Sequence, residues 1–157
     1  MSDQLSHLDH PYPLSKRSAA RLAAVQALYQ HYIAKTPASS LIKEFSEHFK
    51  GPQTVDHNLI PMDAELFGAL VQGVLAHQEN IHHLIAQNLR EDWPFDRIEL
   101  TLRLLLECGT YELLHCPETP ARIIISEYVN LAHTFYEEKE SGFINGMLDK
   151  LSKALRP

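Results

Sequence analysis

From Ile98 to Leu113 the small and apolar residues recur at intervals of three and four: Ile98, Leu102, Leu105, Leu106, Gly109 and Leu113. A strand sends successive side chains to opposite faces and cannot gather that set, whereas a helix of 3.6 residues per turn can. The same period governs most of the chain. Leu22, Ala24, Val25, Leu28, Tyr29, Tyr32 and Ile33 make one arc, and Leu41, Ile42, Phe45 and Phe49 another. A third starts at Asp63 with Leu66, Phe67, Leu70, Val71, Val74 and Leu75. It continues through Ile81, Leu84, Ile85 and Leu89, with a bend expected near His77. Ile144, Leu148, Leu151 and Leu155 form the last stripe. The one strand-like run, Ile123-Ile-Ile125, is claimed by its helical surroundings. The sequence therefore predicts an all-α protein, a compact helical domain of two three-helix-like subdomains at about residues 15–89 and 94–157. Residues 1–14 are expected to form a flexible tail.

Helix ends are marked by residues that satisfy or break the terminal backbone groups. Ser15 is a cap for the first helix. Residues 50–61, with Gly51, Pro52 and Pro61, read as a loop. Pro94 disfavours helix in the residue before it and separates the two halves. Cys116-Pro117 ends the long central stripe, and Thr119 with Pro120 reads as an N-cap and first helical position. Residues 121–136 are apolar on more than one side, which predicts the central, most buried helix. Ser141 is the expected cap of the last helix.

A chain of 157 residues supports one domain, or two small subdomains sharing a core. No apolar run approaches the roughly 18 residues needed to cross a bilayer, and the first 13 residues lack the apolar stretch of a signal peptide. A cytoplasmic protein with no membrane association is expected, and Cys108 and Cys116 then read as reduced thiols. Among ten histidines the one dense group is His77, Glu79, His82 and His83. One helical turn of such residues, without a distal Cys/His set, does not make a metal site. There is no G-x-S-x-G, P-loop or dinucleotide-binding turn. Glu127, expected to be buried and paired, has no second residue placed to work with it. No catalytic residue, metal or cofactor is expected, and the chain does not read as an enzyme.

Charge is distributed unevenly. The net charge is −6, which by itself argues against a polyanionic ligand. Yet no carboxylate lies between Asp9 and Glu44, an interval that holds Lys16, Arg17, Arg21, Lys35 and Lys43. From Asp56 to Glu118 the balance reverses, with eleven acidic residues against Arg90, Arg97 and Arg103. Such a chain can turn a basic end to a polyanion and an acidic middle to a basic protein. Solvated helix faces would give the same pattern.

Four ordered blocks add a resemblance. They are Arg17-Ser-Ala-Ala-Arg21-Leu-Ala-Ala-Val-Gln26-Ala-Leu-Tyr29, Gly109-Thr-Tyr-Glu-Leu113, Ser126-Glu-Tyr-Val-Asn-Leu-Ala-His-Thr-Phe135 and Gly142-Phe-Ile-Asn-Gly-Met-Leu-Asp-Lys150. In this order, from about residue 16 to 157, the chain resembles NusB-type transcription antitermination factors. The resemblance implies an adaptor that binds boxA-like single-stranded RNA with the ribosomal protein NusE. That pair would support read-through by the RNA polymerase antitermination complex, notably on ribosomal RNA operons.

It also implies site residues. The family's N-terminal arginine-rich segment maps to Lys16, Arg17 and Arg21, thinned here by Ser18 and Ala19. Arg21 could equally lay its stem over the core. Tyr29 and Phe143 are the candidates for stacking on bases, with Lys139 close to Phe143; core packing is the alternative for both rings. Asn145 and Gly146 read structurally, as a buried amide and a site of close helix approach. The surface for NusE is expected at Glu107, Tyr111 and Glu112, with Glu107 standing where the family often has an arginine. Two alternatives remain open: a helical protein-interaction module without RNA binding, and a relative of the RNA-binding domain of RNA cytosine methyltransferases. A homodimer could cover the arginines proposed for RNA.

Overall fold

A computed structural model describes residues 14–50, 59–90 and 94–157. The expected tail at residues 1–14, Leu14 apart, and most of the expected loop at 50–61 lie outside them. The described residues form seven α-helices and one short 3-10 turn, with no strand. In chain order these are α1 (Lys16–Ala34), α2 (Ala38–His48), α3 (Ala64–Ala76), α4 (Gln78–Asn88), the 3-10 turn (Phe95–Arg97), α5 (Leu100–His115), α6 (Ala121–Phe135) and α7 (Glu138–Leu155). The protein is all-α. By its contacts the chain divides into two units, Met1–Gln72 and Gly73–Pro157. Helix α4, expected with the first half, groups with the second because it packs on α5 and α7.

In the first unit, Ser15 caps α1 by accepting from the Ser18 amide at 3.0 Å. Lys35 ends the helix in the left-handed region at φ 61°, its amide donating to the His31 carbonyl. Residues 19–25 are all buried, more than one stripe, and four of the seven are alanines. Phe45 of α2 stacks on Phe49 and on Phe67 of α3, with centroids 6.2 and 5.8 Å apart. Asp63 ties two helix starts together. One of its carboxylate oxygens accepts from the Leu66 amide at 2.9 Å, capping α3, and its own amide donates to the Lys16 carbonyl at 2.9 Å.

In the second unit α5 is the central helix. It packs against α4, α6 and α7, and every residue from 104 to 110 is buried. Residues 121–136 were expected in that role. Instead α6 buries only Ile124, Tyr128, Leu131 and Ala132, one face at helical spacing, while Ile123 and Phe135 stand exposed. Breadth of apolar character in a sequence does not fix burial: α6 packs mainly on α5 and α7, whereas α5 also receives α4. Gly109 admits α7 closely, since a Cβ there would sit 2.9 Å from Leu148.

Two helix starts differ from expectation. Pro120, not Thr119, occupies the cap position of α6. Helix α7 begins at Glu138, three residues before Ser141, which is buried inside it and donates to the Glu138 carbonyl at 3.0 Å. Glu138 and Glu140 in that first turn complement the positive end of the helix dipole. The bend near His77 is present as a one-residue break between α3 and α4.

Arg156, just past α7, closes the far end of α5. Its guanidinium donates to the carbonyls of Glu112, Leu113, Cys116 and Thr119 at 3.1, 2.9, 2.8 and 2.6 Å. The last carbonyls of a helix have no partner within it, and a cation there also meets the negative end of the dipole.

Candidate functional site

The candidate residues fall on two surface patches and one buried helix. At the start of α1, Lys16 and Arg17 are exposed. The Arg17 guanidinium meets an Asp63 carboxylate oxygen at 3.4 Å, with the side chains 47% and 30% exposed. An ion pair that open to water is weakly held, so the guanidinium can exchange its partner for a phosphate. Arg21, one turn on, is different: it is 2% exposed. It belongs to the fully buried stretch of α1, so its charge does not reach the surface, and it leaves the set of direct RNA contacts. Tyr29 is 42% exposed. It lies with the exposed Ile33 on the edge of the apolar arc, beyond the part that packs.

The second patch is on α7. Lys139 is exposed and Phe143 half-buried. Lys139 stands among Glu137, Glu138 and Glu140, so its immediate surroundings are net negative. Asn145 and Gly146 are exposed rather than buried, and a Cβ on Gly146 would meet nothing within 4 Å. The expectation that Gly146 allows close helix approach is therefore corrected. Between the end of α4 and this edge of α7 runs a groove of about 340 Å³ lined by Asn88, Leu89, Arg90, Gly142, Phe143, Gly146, Met147 and Lys150. Lys150 donates to the Asn88 carbonyl at 3.0 Å. Arg90 and Lys150 were not among the candidates drawn from sequence, although Phe143, Gly146, Met147 and Lys150 share one helix face at i, i+3, i+4 and i+7.

Two of the three expected partner-binding residues are buried. Glu107 is fully covered. One of its oxygens accepts from His82 Nε2 at 2.9 Å and lies 3.5 Å from Arg103 Nε. The latter is an electrostatic contact rather than a formed hydrogen bond, because Arg103 Nε and the other Glu107 oxygen have no hydrogen-bond partner. Arg103 also sits over the Phe95 ring at 5.2 Å, and His82 packs on the same ring at 4.5 Å. The charge at position 107 is thus answered internally, by Arg103 and His82. Glu112 is buried as well and accepts from the Tyr128 hydroxyl at 2.5 Å. Burial, then the neighbouring Glu107 and Glu112 carboxylates, push the Cys108 thiol well above its ordinary range. An acidic residue on an amphipathic helix looks the same in sequence whether solvated or buried with a partner, and here helices on three sides decide it.

Tyr111 alone of the three reaches the surface, half-buried. Its ring lies 4.7 Å from His115, which in turn lies 4.5 Å from His77. A Cβ on Gly73 would collide with that tyrosine ring. Burial, with Cys116 and Glu112 nearby, raises the Tyr111 hydroxyl above its usual range. Burial, followed by His77, lowers His115. Glu127, expected buried, is half-buried. Among the described residues no group of three or more His, Cys, Asp or Glu side chains could hold a metal ion. None of the described helices is long and apolar enough to cross a membrane.

The NusB family model matches residues 18–153. The transcription antitermination protein NusB of Sphingopyxis alaskensis is 42% identical over 140 residues, covering 89% of this chain and 94% of that protein. Its namesake from Nitrobacter hamburgensis is 40% identical over 142 residues, covering 90% and 89%. Among solved structures, T. maritima NusB superposes with a TM-score of 0.72 at 26% identity, covering 91% of this chain and 94% of that one. A chain from the structure of antitermination factors NusB and NusE in complex with dsRNA gives 0.70 at 25% identity, covering 87% and 96%.

Proposed function

The chain belongs to the NusB family, and from that premise we propose that it is a transcription antitermination adaptor. It binds boxA-like RNA together with NusE and supports read-through by RNA polymerase, notably on ribosomal RNA operons. The observation that carries this reading is identity of about 40% to NusB proteins along nine-tenths of the chain. Its role is to bind and assemble in the cytoplasm beside the polymerase, not to catalyse.

Lys16 and Arg17 supply salt-dependent attraction for phosphates, and Arg17 gives up its weak contact with Asp63 to do so. Tyr29 and Phe143 offer ring faces to unpaired bases. Arg21, Glu107 and Glu112 act from inside, as part of the fold. On α5 that leaves Tyr111 as the proposed contact for NusE. With a net charge of −6 and Lys139 set among glutamates, the chain alone attracts RNA weakly. Most of the affinity comes from the pair, to which a basic ribosomal partner brings the missing charge.

Fluorescence anisotropy of a labelled boxA RNA across a salt series, with and without NusE, tests this. Binding should tighten with NusE and fall steeply with salt. Arg17→Ala should weaken it and shallow the slope by about 0.7 for each single-strand phosphate that is no longer neutralised. Absence of binding both alone and with NusE would leave a helical module that binds only proteins.

A further inference from the structure

We infer that the ring cluster of His77, Tyr111 and His115 seats one cationic side chain of the basic protein partner, an arginine by preference. This rests on the reading of Tyr111 as a partner contact and adds to it what that contact holds.

The three rings come from neighbouring helices of the second unit. His77 stands at the break before α4, and Tyr111 and His115 are one turn apart near the end of α5. Ring centroids lie 4.7 Å apart for Tyr111 and His115, 4.5 Å for His77 and His115, and 6.2 Å for His77 and Tyr111. Both histidines are exposed and Tyr111 is half-buried, so the cluster has a face open to a ligand. A cation is attracted to the face of an aromatic ring, and a planar guanidinium can stack there while its edge keeps its water. The Tyr111 ring is also fixed from below. A Cβ on Gly73 would lie 2.2 Å from it, so only glycine lets the ring bed directly on the α3 backbone. Glycine inside a helix is less stable than alanine; here it sets the position of this ring.

The surroundings have the sign a cation needs. No lysine or arginine lies between Lys50 and Arg90 or between Arg103 and Arg122, so the flanks of all three rings carry none. Glu79 and Glu118, both exposed, follow His77 and His115 by two and three residues, and Glu112 lies buried next to Tyr111. Arg156, at the same end of α5, gives its guanidinium to four backbone carbonyls. Burial, then His77, holds His115 below its ordinary range, so its ring is uncharged at neutral pH and does not repel the guest. The Tyr111 hydroxyl, raised by burial, Cys116 and Glu112, keeps its proton there. A phosphate finds no cation at this face, which favours a basic protein over RNA as the occupant.

The test is calorimetric titration of NusE into the whole chain at about pH 8 and about pH 5, with the melting temperature of each variant separating lost docking from lost fold. Tyr111→Ala should weaken binding about 10-fold at the higher pH. His115→Lys, at an exposed position, places a fixed cation in the seat and should weaken it at least as much. Wild-type affinity should fall toward the lower pH, because protonated imidazoles repel the guest. The double variant His77→Phe with His115→Phe keeps rings that cannot be protonated, and its affinity should change less with pH. If NusE binds the wild-type chain and neither Tyr111→Ala nor His115→Lys alters the affinity, the seat is overturned while the adaptor reading stands. If the same two variants instead weaken boxA RNA binding without NusE, the rings are a nucleobase platform and the seat is equally overturned. If the wild-type chain does not bind NusE, the partner reading and the seat fall together.

Discussion

Two arginine–carboxylate pairs in this protein have nearly the same separation and opposite meanings. Arg17 and Asp63 approach to 3.4 Å at the surface, with side chains 47% and 30% exposed. Arg103 and Glu107 approach to 3.5 Å with 20% and 0% exposure. Distance alone does not tell them apart; water does. The first pair competes with solvent and salt, is worth at most about 1 kcal/mol, and is free to be replaced by a ligand. The second holds a carboxylate that has already given up its hydration, so its removal leaves Arg103 without its counter-charge and His82 without its hydrogen-bond partner. A charge that recognises a partner must be cheap to release, whereas a charge that holds a helix in place must not be.

The contrast can be broken at its strong end first. Glu107→Ala should lower unfolding free energy by about 3–5 kcal/mol, the usual effect of removing one member of a buried pair, measured by chemical denaturation. Replacing Glu107 and Arg103 together by leucine should recover much of it; no recovery would mean that packing rather than charge dominates there. Arg156→Ala, which uncaps α5, should cost about 2 kcal/mol, in the range for hydrogen bonds to a charged group. Asp63→Ala should cost about 1 kcal/mol, the worth of an N-cap. Asp63→Asn keeps the cap, should be nearly neutral, and should leave Arg17 freer for RNA; a loss as large as that of Glu107→Ala would erase the distinction between the two pairs.

The smallest effect is expected at the ring cluster of His77, Tyr111 and His115. A histidine whose folded pKa lies below its unfolded value binds fewer protons when folded. The stability linked to His115 is therefore full above about pH 6.5 and declines as pH falls through the lowered folded pKa. Melting temperature should drop slightly between pH 8 and 5, and the drop should shrink in His77→Asn, which removes the second cause of the shift.

The period of three and four that begins at Ile98 was enough to read the all-α class and the approximate place of each described helix, because amphipathic spacing is a local property. Burial was less legible. Residues 121–136 have the broader apolar character, yet α5 is the more deeply buried helix, because α4 packs on it in addition to α6 and α7. Ser141 offered a good capping hydroxyl, but the acidic first turn at Glu138 and Glu140 set the start earlier. For the candidate site, Lys16 and Arg17 were singled out by the family resemblance, because the charge distribution along the chain fits solvated helix faces as well. The internal answers to Glu107 and Glu112 could not, because His82 lies 25 residues from Glu107 and Tyr128 lies 16 from Glu112. The groove was hidden in the sequence for a similar reason: α4 supplies one side and α7 the other.

The Arg156 clamp also dictates an order of events at the ribosome. Cys116 leaves the peptidyl-transferase centre 40 residues ahead of the arginine that will bind its carbonyl. Throughout that interval the end of α5 is a nascent helix with open acceptors, and α7, its close-packed neighbour, is not yet made. The second unit thus completes its folding only once Arg156 has been made, through contacts distant in sequence and slow to close. A premature stop shortly before codon 156 would release a chain with nearly all of the described helices synthesised and the end of α5 still uncapped.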